Sequence, residues 1–168
     1  MKDVRPTSGR VLLALLSILG PMEGRSFLDL FAGTGRVGLE ALARGARPVA
    51  WVESVRERAR AIERAIPEGR REGTAVLSLE LRRAVSWLLK RGRTFDVIFA
   101  DPPYCAGWGA ELPGVGGLRD LLAPEGFLIV EHSIREELAL TPSWSLISKR
   151  DYGETRLTWL TRPIPHTS

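Results

Sequence analysis

Three short stretches carry residues whose types and spacing can do chemistry. In Phe27–Leu42, FLDLFAGTGRVGLEAL, an apolar run containing Asp29 turns through Gly33, Gly35 and Gly38. Glycines at this G-x-G-x-x-G spacing let a backbone turn tightly and approach a ligand closely. Glu53 follows twenty positions after Gly33 and closes a second apolar run, PVAWVE. The third stretch, FDVIFADPPY, ends on Asp101, Pro102, Pro103 and Tyr104. By spacing alone, the first two stretches are the fingerprint of a dinucleotide cofactor.

Three features argue against a nicotinamide cofactor. The chain has no room for a substrate domain after six alternating strands. Asp29 precedes the turn, where it is a poor neighbour for a pyrophosphate and a good one for a cation. The chain also finishes in a hairpin. A cofactor with an amino-acid end and a sulfonium, S-adenosylmethionine, suits these residues better. Asp29 is expected to hold its ammonium, the turn Phe31, Ala32, Gly33, Thr34 and Gly35 to lie against it, and Glu53, followed by Ser54, to grip the ribose hydroxyls.

The elements that position these residues follow from periodicity. Seven strand-like runs are expected: SFLDLF, PVAWVE, AVLSLE, FDVIFA, FLIVEHS and two in WSLISKRDYGETRLTWL around Tyr152-Gly153. Helical patterns separate the first five, including RVGLEALAR and LRRAVSWLLKR, with a short helix LRDLLA before the fifth strand. Ser54 with Glu57 forms a capping box for a helix whose apolar face is Val55, Ala59, Ile62 and Ile66. Trp87 is expected in the core. Alternating strands and helices predict a seven-stranded, mostly parallel α/β sheet with helices on both faces, Rossmann-like, closed by an antiparallel hairpin over 144–162. One domain over 1–168 is expected, with a helical entry segment over 1–22.

Composition narrows the class. At 168 residues the chain supports one domain with a real core. No window approaches the apolar length needed to span a bilayer, and Val11–Leu19 reads as a packed helix rather than a signal peptide. The single cysteine, Cys105, excludes an internal disulfide and a cysteine-built metal site; no metal is expected, and a cytoplasmic location is the default. Net charge is +4 and 21 of the 24 basic residues are arginine, whose planar fork suits phosphate. Asn and Gln are absent.

The order D-x-F-A-G-T-G, an acid after the second strand and D-P-P-Y after the fourth resembles a class I S-adenosylmethionine-dependent methyltransferase. DLFAGTGRVGLEALARGA with FDVIFADPPY is similar to the bacterial family that methylates guanine N2 in small-subunit ribosomal RNA, as is the leading RPTSGRV. The resemblance implies a monomeric enzyme acting on ribosomal RNA or the assembling small subunit. Asp101 and the Pro102 carbonyl would orient an exocyclic amine, Pro103 would stiffen the turn, and Tyr104 would stack on the base. D-P-P-Y also serves adenine N6 in DNA or RNA, and a non-catalytic methyltransferase fold that stabilises a partner is the remaining alternative.

Three departures from the family pattern stand out. Its basic N-terminal hairpin has no counterpart before Arg5, the segment after R-P-T carries Gly9, Leu12 and Leu13 in place of charged residues, and Glu80 is the nearest candidate for the acid that touches adenine. RNA contacts are therefore expected from Arg5, Arg10, Arg36 and the segment holding Trp108, which reads equally as a buried anchor. Cys105 reads as a free thiol and His132 as a polar strand terminus.

Overall fold

The computed structural model describes residues 8–103 and 106–163. Arg5, Tyr104 and Cys105 lie outside the described residues. Element order is α1 (Gly9–Leu19), β1 (Phe27–Leu30), α2 (Arg36–Ala43), β2 (Val49–Val52), α3 (Arg56–Ala65), β3 (Thr74–Leu77), α4 (Leu81–Lys90), β4 (Phe95–Ala100), α5 (Trp108–Glu111), β5 (Leu122–Ser133), β6 (Ser145–Tyr152) and β7 (Thr155–Thr161).

All seven strands form one sheet in the order β3-β2-β1-β4-β5-β7-β6. β1 to β5 are parallel, while β7 runs antiparallel to both β5 and β6. The strand order reverses direction at β1, between β2 and β4. That is the switch point at which open α/β sheets bind ligands. The hairpin thus contributes the one antiparallel strand expected of it.

Alternation along the strands divides the interior into two layers. Phe27, Val49, Trp51, Val97, Phe99 and Ile129 face α1, α2 and α3. Leu28, Leu30, Ala50, Val52, Ile98 and Val130 face α4 and the turns around Leu112–Leu121. α1 buries Val11, Leu12, Leu15, Leu16 and Leu19 in the first layer; each fully buried aliphatic side chain stabilises by about 1.5–3 kcal/mol. Ser8 caps this helix by accepting from the Val11 N–H at 3.2 Å. Leu13 points to solvent, so the apolar departure after R-P-T splits into one core residue and one exposed residue.

At the amino ends of the strands, Ser26 and Asp96 lock β1 to β4. The Ser26 N–H donates to Asp96 Oδ2 at 2.9 Å, and the Asp96 N–H donates to Ser26 Oγ at 2.8 Å. At the far edge, β6 pairs with β7 through a register shift that leaves Ile147 as an extra residue between Leu146 and Ser148.

Several local expectations are corrected. The Ser54–Glu57 capping box does not form: Val55 is the N-cap and offers no side-chain acceptor. The Val55 N–H donates instead to Glu53 Oε2 at 2.7 Å, and Val55 is 41% exposed, off the buried face of Ala59, Ile62 and Ile66. Trp87 is half-buried, with the Arg91 guanidinium 3.6 Å from its ring centroid. LRDLLA shortens to a 3-10 turn at Arg119–Leu121, because the backbone from Leu122 already belongs to β5. β3 ends at Leu77, three residues before Glu80.

Gly38 lies inside α2, where glycine is ordinarily unfavourable. A Cβ there would meet Trp51 Nε1 at 2.2 Å. Gly38→Ala is therefore expected to destabilise the protein by about 1–3 kcal/mol, as overpacking of a close-packed core does. Denaturant unfolding checks this, and an unchanged midpoint would show that Trp51 can move aside.

Candidate functional site

The site forms where the carboxyl ends of β1, β2 and β4 meet. The turn after β1 requires backbone conformations that L side chains rarely adopt: Gly33 has φ 58° and Gly35 φ 76°. Phe31 also sits in the left-handed region, at φ 55°. A non-glycine residue in that region is uncommon and carries strain, a mark of functional turns.

Each of the three glycines is fastened by one side chain from the strands beneath. The Gly33 N–H donates to Glu53 Oε1 at 3.0 Å. The Gly35 carbonyl accepts from Trp51 Nε1 at 3.0 Å. The Gly38 N–H donates to Asp29 Oδ2 at 3.1 Å. Trp51 lies on β2 and Glu53 is the residue just past its end, while Asp29 is the register partner of Trp51 across the β1–β2 ladder. Sequence reasoning found the two acids and missed Trp51, which looks like any other aromatic in a buried strand.

Asp29 is 2% exposed and Glu53 5% exposed. Burial raises the Asp29 pKa well above the usual carboxylate range, the Gly38 hydrogen bond opposes this, and the nearby Asp101 and Glu53 charges raise it further. A carboxylate pushed this way by desolvation and like charges favours a cationic ligand beside it. Glu53 spans two loops, with Oε1 on Gly33 and Oε2 on Val55. Each carboxylate oxygen has a second lone pair with which to accept from a ligand hydroxyl.

Asp101 follows the last residue of β4 and is half-buried, with Pro102 half-buried and Pro103 exposed beside it. Ala100 pairs with Val130, so Glu131, a buried carboxylate that sequence reasoning did not single out, comes next on the strand alongside Asp101. Glu80 is the N-cap of α4. Its Oε2 accepts from the Arg82 N–H and its Oε1 from the Arg83 N–H, each at 3.2 Å, and the residue is exposed.

Trp108 serves as an anchor. Its ring meets Phe31 edge-on, with centroids 5.0 Å apart and planes at 64°. The Arg82 guanidinium lies 5.3 Å from its centroid and also pairs with Glu111 at 3.1 Å. The Gly109 N–H donates to Glu136 Oε1 at 2.9 Å. His132 supports that segment from below: its Nδ1 lies 2.8 Å from the Glu136 carbonyl and its Nε2 2.7 Å from Thr158 Oγ1. Burial lowers the His132 pKa, so the ring is held neutral, as a structural strand terminus should be. Arg10 and Arg36 are exposed, at the starts of α1 and α2, and Thr34 and Ser54 are exposed at the rim.

An open sheet of this order, with a glycine turn and acids at its carboxyl edge, defines the class I methyltransferase fold. The model of the family described as Conserved hypothetical protein 95 matches residues 1–161, and the chain belongs to this family, the RsmD family. Ribosomal RNA small subunit methyltransferase D of Escherichia coli K12 is 30% identical over 158 residues, covering 90% of this chain and 76% of that protein. The solved structure of Escherichia coli YhhF aligns with a TM-score of 0.79 at 28% identity, covering 95% of this chain and 88% of that one. A hypothetical protein of Thermus thermophilus aligns at 0.74 and 31% identity, covering 96% of this chain and 90% of that one.

The Asp29 pKa makes a stability prediction. The folded chain holds this proton more tightly than the unfolded chain, so the group's contribution is present at acid pH and lost as pH rises through the folded value. Asp29→Asn keeps an acceptor for Gly38 and carries no charge. It is expected to raise the Tm of the ligand-free protein at neutral pH, and by progressively less as pH falls toward the ordinary carboxyl value. Thermal melts across pH check this; a lowered Tm at alkaline pH would overturn it.

Proposed function

We propose that this chain methylates an exocyclic amine of a base in RNA, guanine N2 of small-subunit ribosomal RNA, with S-adenosylmethionine as the methyl donor. The observation that carries the reading is the convergence of Asp29, Glu53 and Asp101 beside the fastened glycine turn. A buried carboxylate destabilised by its like-charged neighbours fits a ligand bearing an ammonium and a sulfonium. The left-handed turn at Gly33 and Gly35 presents backbone at the carboxyl edge. The Escherichia coli relative's name, Ribosomal RNA small subunit methyltransferase D, supports the substrate class.

S-adenosylmethionine supplies, when bound, an electrophilic methyl group on a positively charged sulfur. Asp29 would hold the ammonium end and Glu53 the ribose hydroxyls, with the Phe31–Gly35 turn and Ser54 beside them. Glu80 remains the candidate for contact with the adenine ring, although its carboxylate also caps α4.

An exocyclic amine gives its lone pair to the ring and is a weak nucleophile. Asp101 and the Pro102 carbonyl would accept its N–H bonds and so turn its lone pair out of the ring plane. Pro102 has no backbone N–H to interfere, and Pro103 fixes the chain beyond it. Positioning supplies most of the rate, and the base must leave its stack to enter. Tyr104 is assigned the stacking role by its place in the motif. A soluble cytoplasmic enzyme acting as a monomer suits this chemistry, and among the described residues no helix is long and apolar enough to cross a membrane.

The test is incubation with methyl-labelled S-adenosylmethionine and small ribosomal subunits from cells lacking the protein, followed by nucleoside mass spectrometry. Label is expected in N2-methylguanosine and should fall by at least about a hundredfold in Asp101→Ala, the scale of loss when a positioning group is removed. Label in N6-methyladenosine would overturn the guanine assignment. Cofactor binding without label in any nucleoside would overturn catalysis in favour of a binding role.

A further inference from the structure

Arginines stand at the N-terminal ends of three helices as well as at their C-terminal ends. The first three residues of α2, α3 and α4 contain Arg36, Arg56, Arg58, Arg82 and Arg83. A helix N-terminus carries partial positive charge and disfavours cations. Glu57 lies in the first turn of α3 and Glu80 caps α4, while the buried Asp29 and Glu53 accept N–H bonds at the starts of α2 and α3. The N-caps of α2 and α3, Gly35 and Val55, provide no side-chain acceptor. Arg36, Arg56 and Arg83 are exposed and form no ion pair among the described residues.

Topology brings these charges together. A helix that follows a parallel strand starts at that strand's carboxyl edge, so all three N-termini open on the mouth of the site. α2 and α3 stand on one face of the sheet and α4 on the other. The half-buried Trp108 ring packs against Phe31 at the same mouth, with Arg82 beside it. Exposed cations at these ends add to the positive pole of each helix, and a polyanion laid across the mouth compensates them.

We infer that the rim formed by Arg36, Arg56 and Arg83 at the mouth of the site is the docking surface for the phosphate backbone of the RNA strand whose base enters the site. This rests on the proposed RNA substrate and specifies how that strand is held. Single strands are followed along their backbone by a positively charged track, which this rim supplies.

The same helices supply a matched control. Arg44, Arg64 and Arg93 lie at or just beyond the carboxyl ends of α2, α3 and α4, are exposed, and form no ion pair among the described residues. Two triple variants remove equal charge: Arg36→Gln, Arg56→Gln, Arg83→Gln at the rim, and Arg44→Gln, Arg64→Gln, Arg93→Gln at the distal ends. Binding of a short single-stranded RNA of mixed sequence is measured over a salt series, together with Tm.

The rim variant is expected to lose about two units of log–log salt slope, at roughly 0.7 per phosphate contact, to bind at least about tenfold more weakly at moderate salt, and to melt higher. The distal variant should keep slope and affinity and melt lower. A rim variant with unchanged slope, or a distal variant that loses as much, overturns the inference. Binding is read without turnover, so the proposed reaction is judged separately. A wild type that docks RNA through the rim and transfers no methyl group leaves the docking surface standing and removes the reaction.

Discussion

Everything at the carboxyl edge depends on the way the glycine turn is fastened. Asp29, Trp51 and Glu53 each take hold of one backbone group of Gly33, Gly35 or Gly38. A turn of left-handed glycines has a large conformational entropy to lose, and three hydrogen bonds to buried side chains oppose that loss. The fastening is rigid because its anchors are on adjacent, paired strands, where a shift of one residue would turn all three side chains to the opposite face. Gly35 and Gly38 are then fixed from outside as well, since a Cβ would strike Ile62 at 2.8 Å or Trp51 at 2.2 Å.

The same fastening concentrates negative charge. Asp29 accepts a backbone N–H and still bears the cost of burial beside Asp101 and Glu53. Hydrophobic layers on both faces of the sheet make that arrangement tolerable, with β1, β2 and most of β4 almost fully enclosed. The carboxylates sit where the strands end and the layers open. Across the mouth, Trp108 leans on Phe31 and is steadied through Gly109, Glu136 and His132. The turn that follows β1 and the segment around Trp108 are therefore mechanically joined.

Much of this was legible in the chain. Strands buried on both faces read as apolar runs, so FDVIFA matches β4 residue for residue and the hairpin follows from its central Tyr152-Gly153. Asp29, Glu53 and Asp101 were found because acids at the ends of apolar runs stand out. The rest depended on partners distant in sequence. Trp51 acquires its role from Gly35 and Gly38, and nothing in PVAWVE distinguishes it. Ser54 has every local qualification for a cap, yet Glu53 reaches the Val55 N–H first and moves the helix start by a residue. Trp87 reads as core by periodicity and does pack against the core's edge, half-buried, with Arg91 over its outer face.

The extra residue at Ile147 has a consequence for how the sheet ends. β6 is an outer strand, with a row of backbone donors and acceptors on which another strand could grow, and Leu146 and Ile147 are apolar and exposed there. The bulge breaks the regular spacing of those groups at the point where the surface is greasiest, and Lys149 and Arg150 follow at once. An incoming strand would find neither a flat template nor a neutral one. The hairpin thus ends the sheet on an edge that discourages the addition of a further strand.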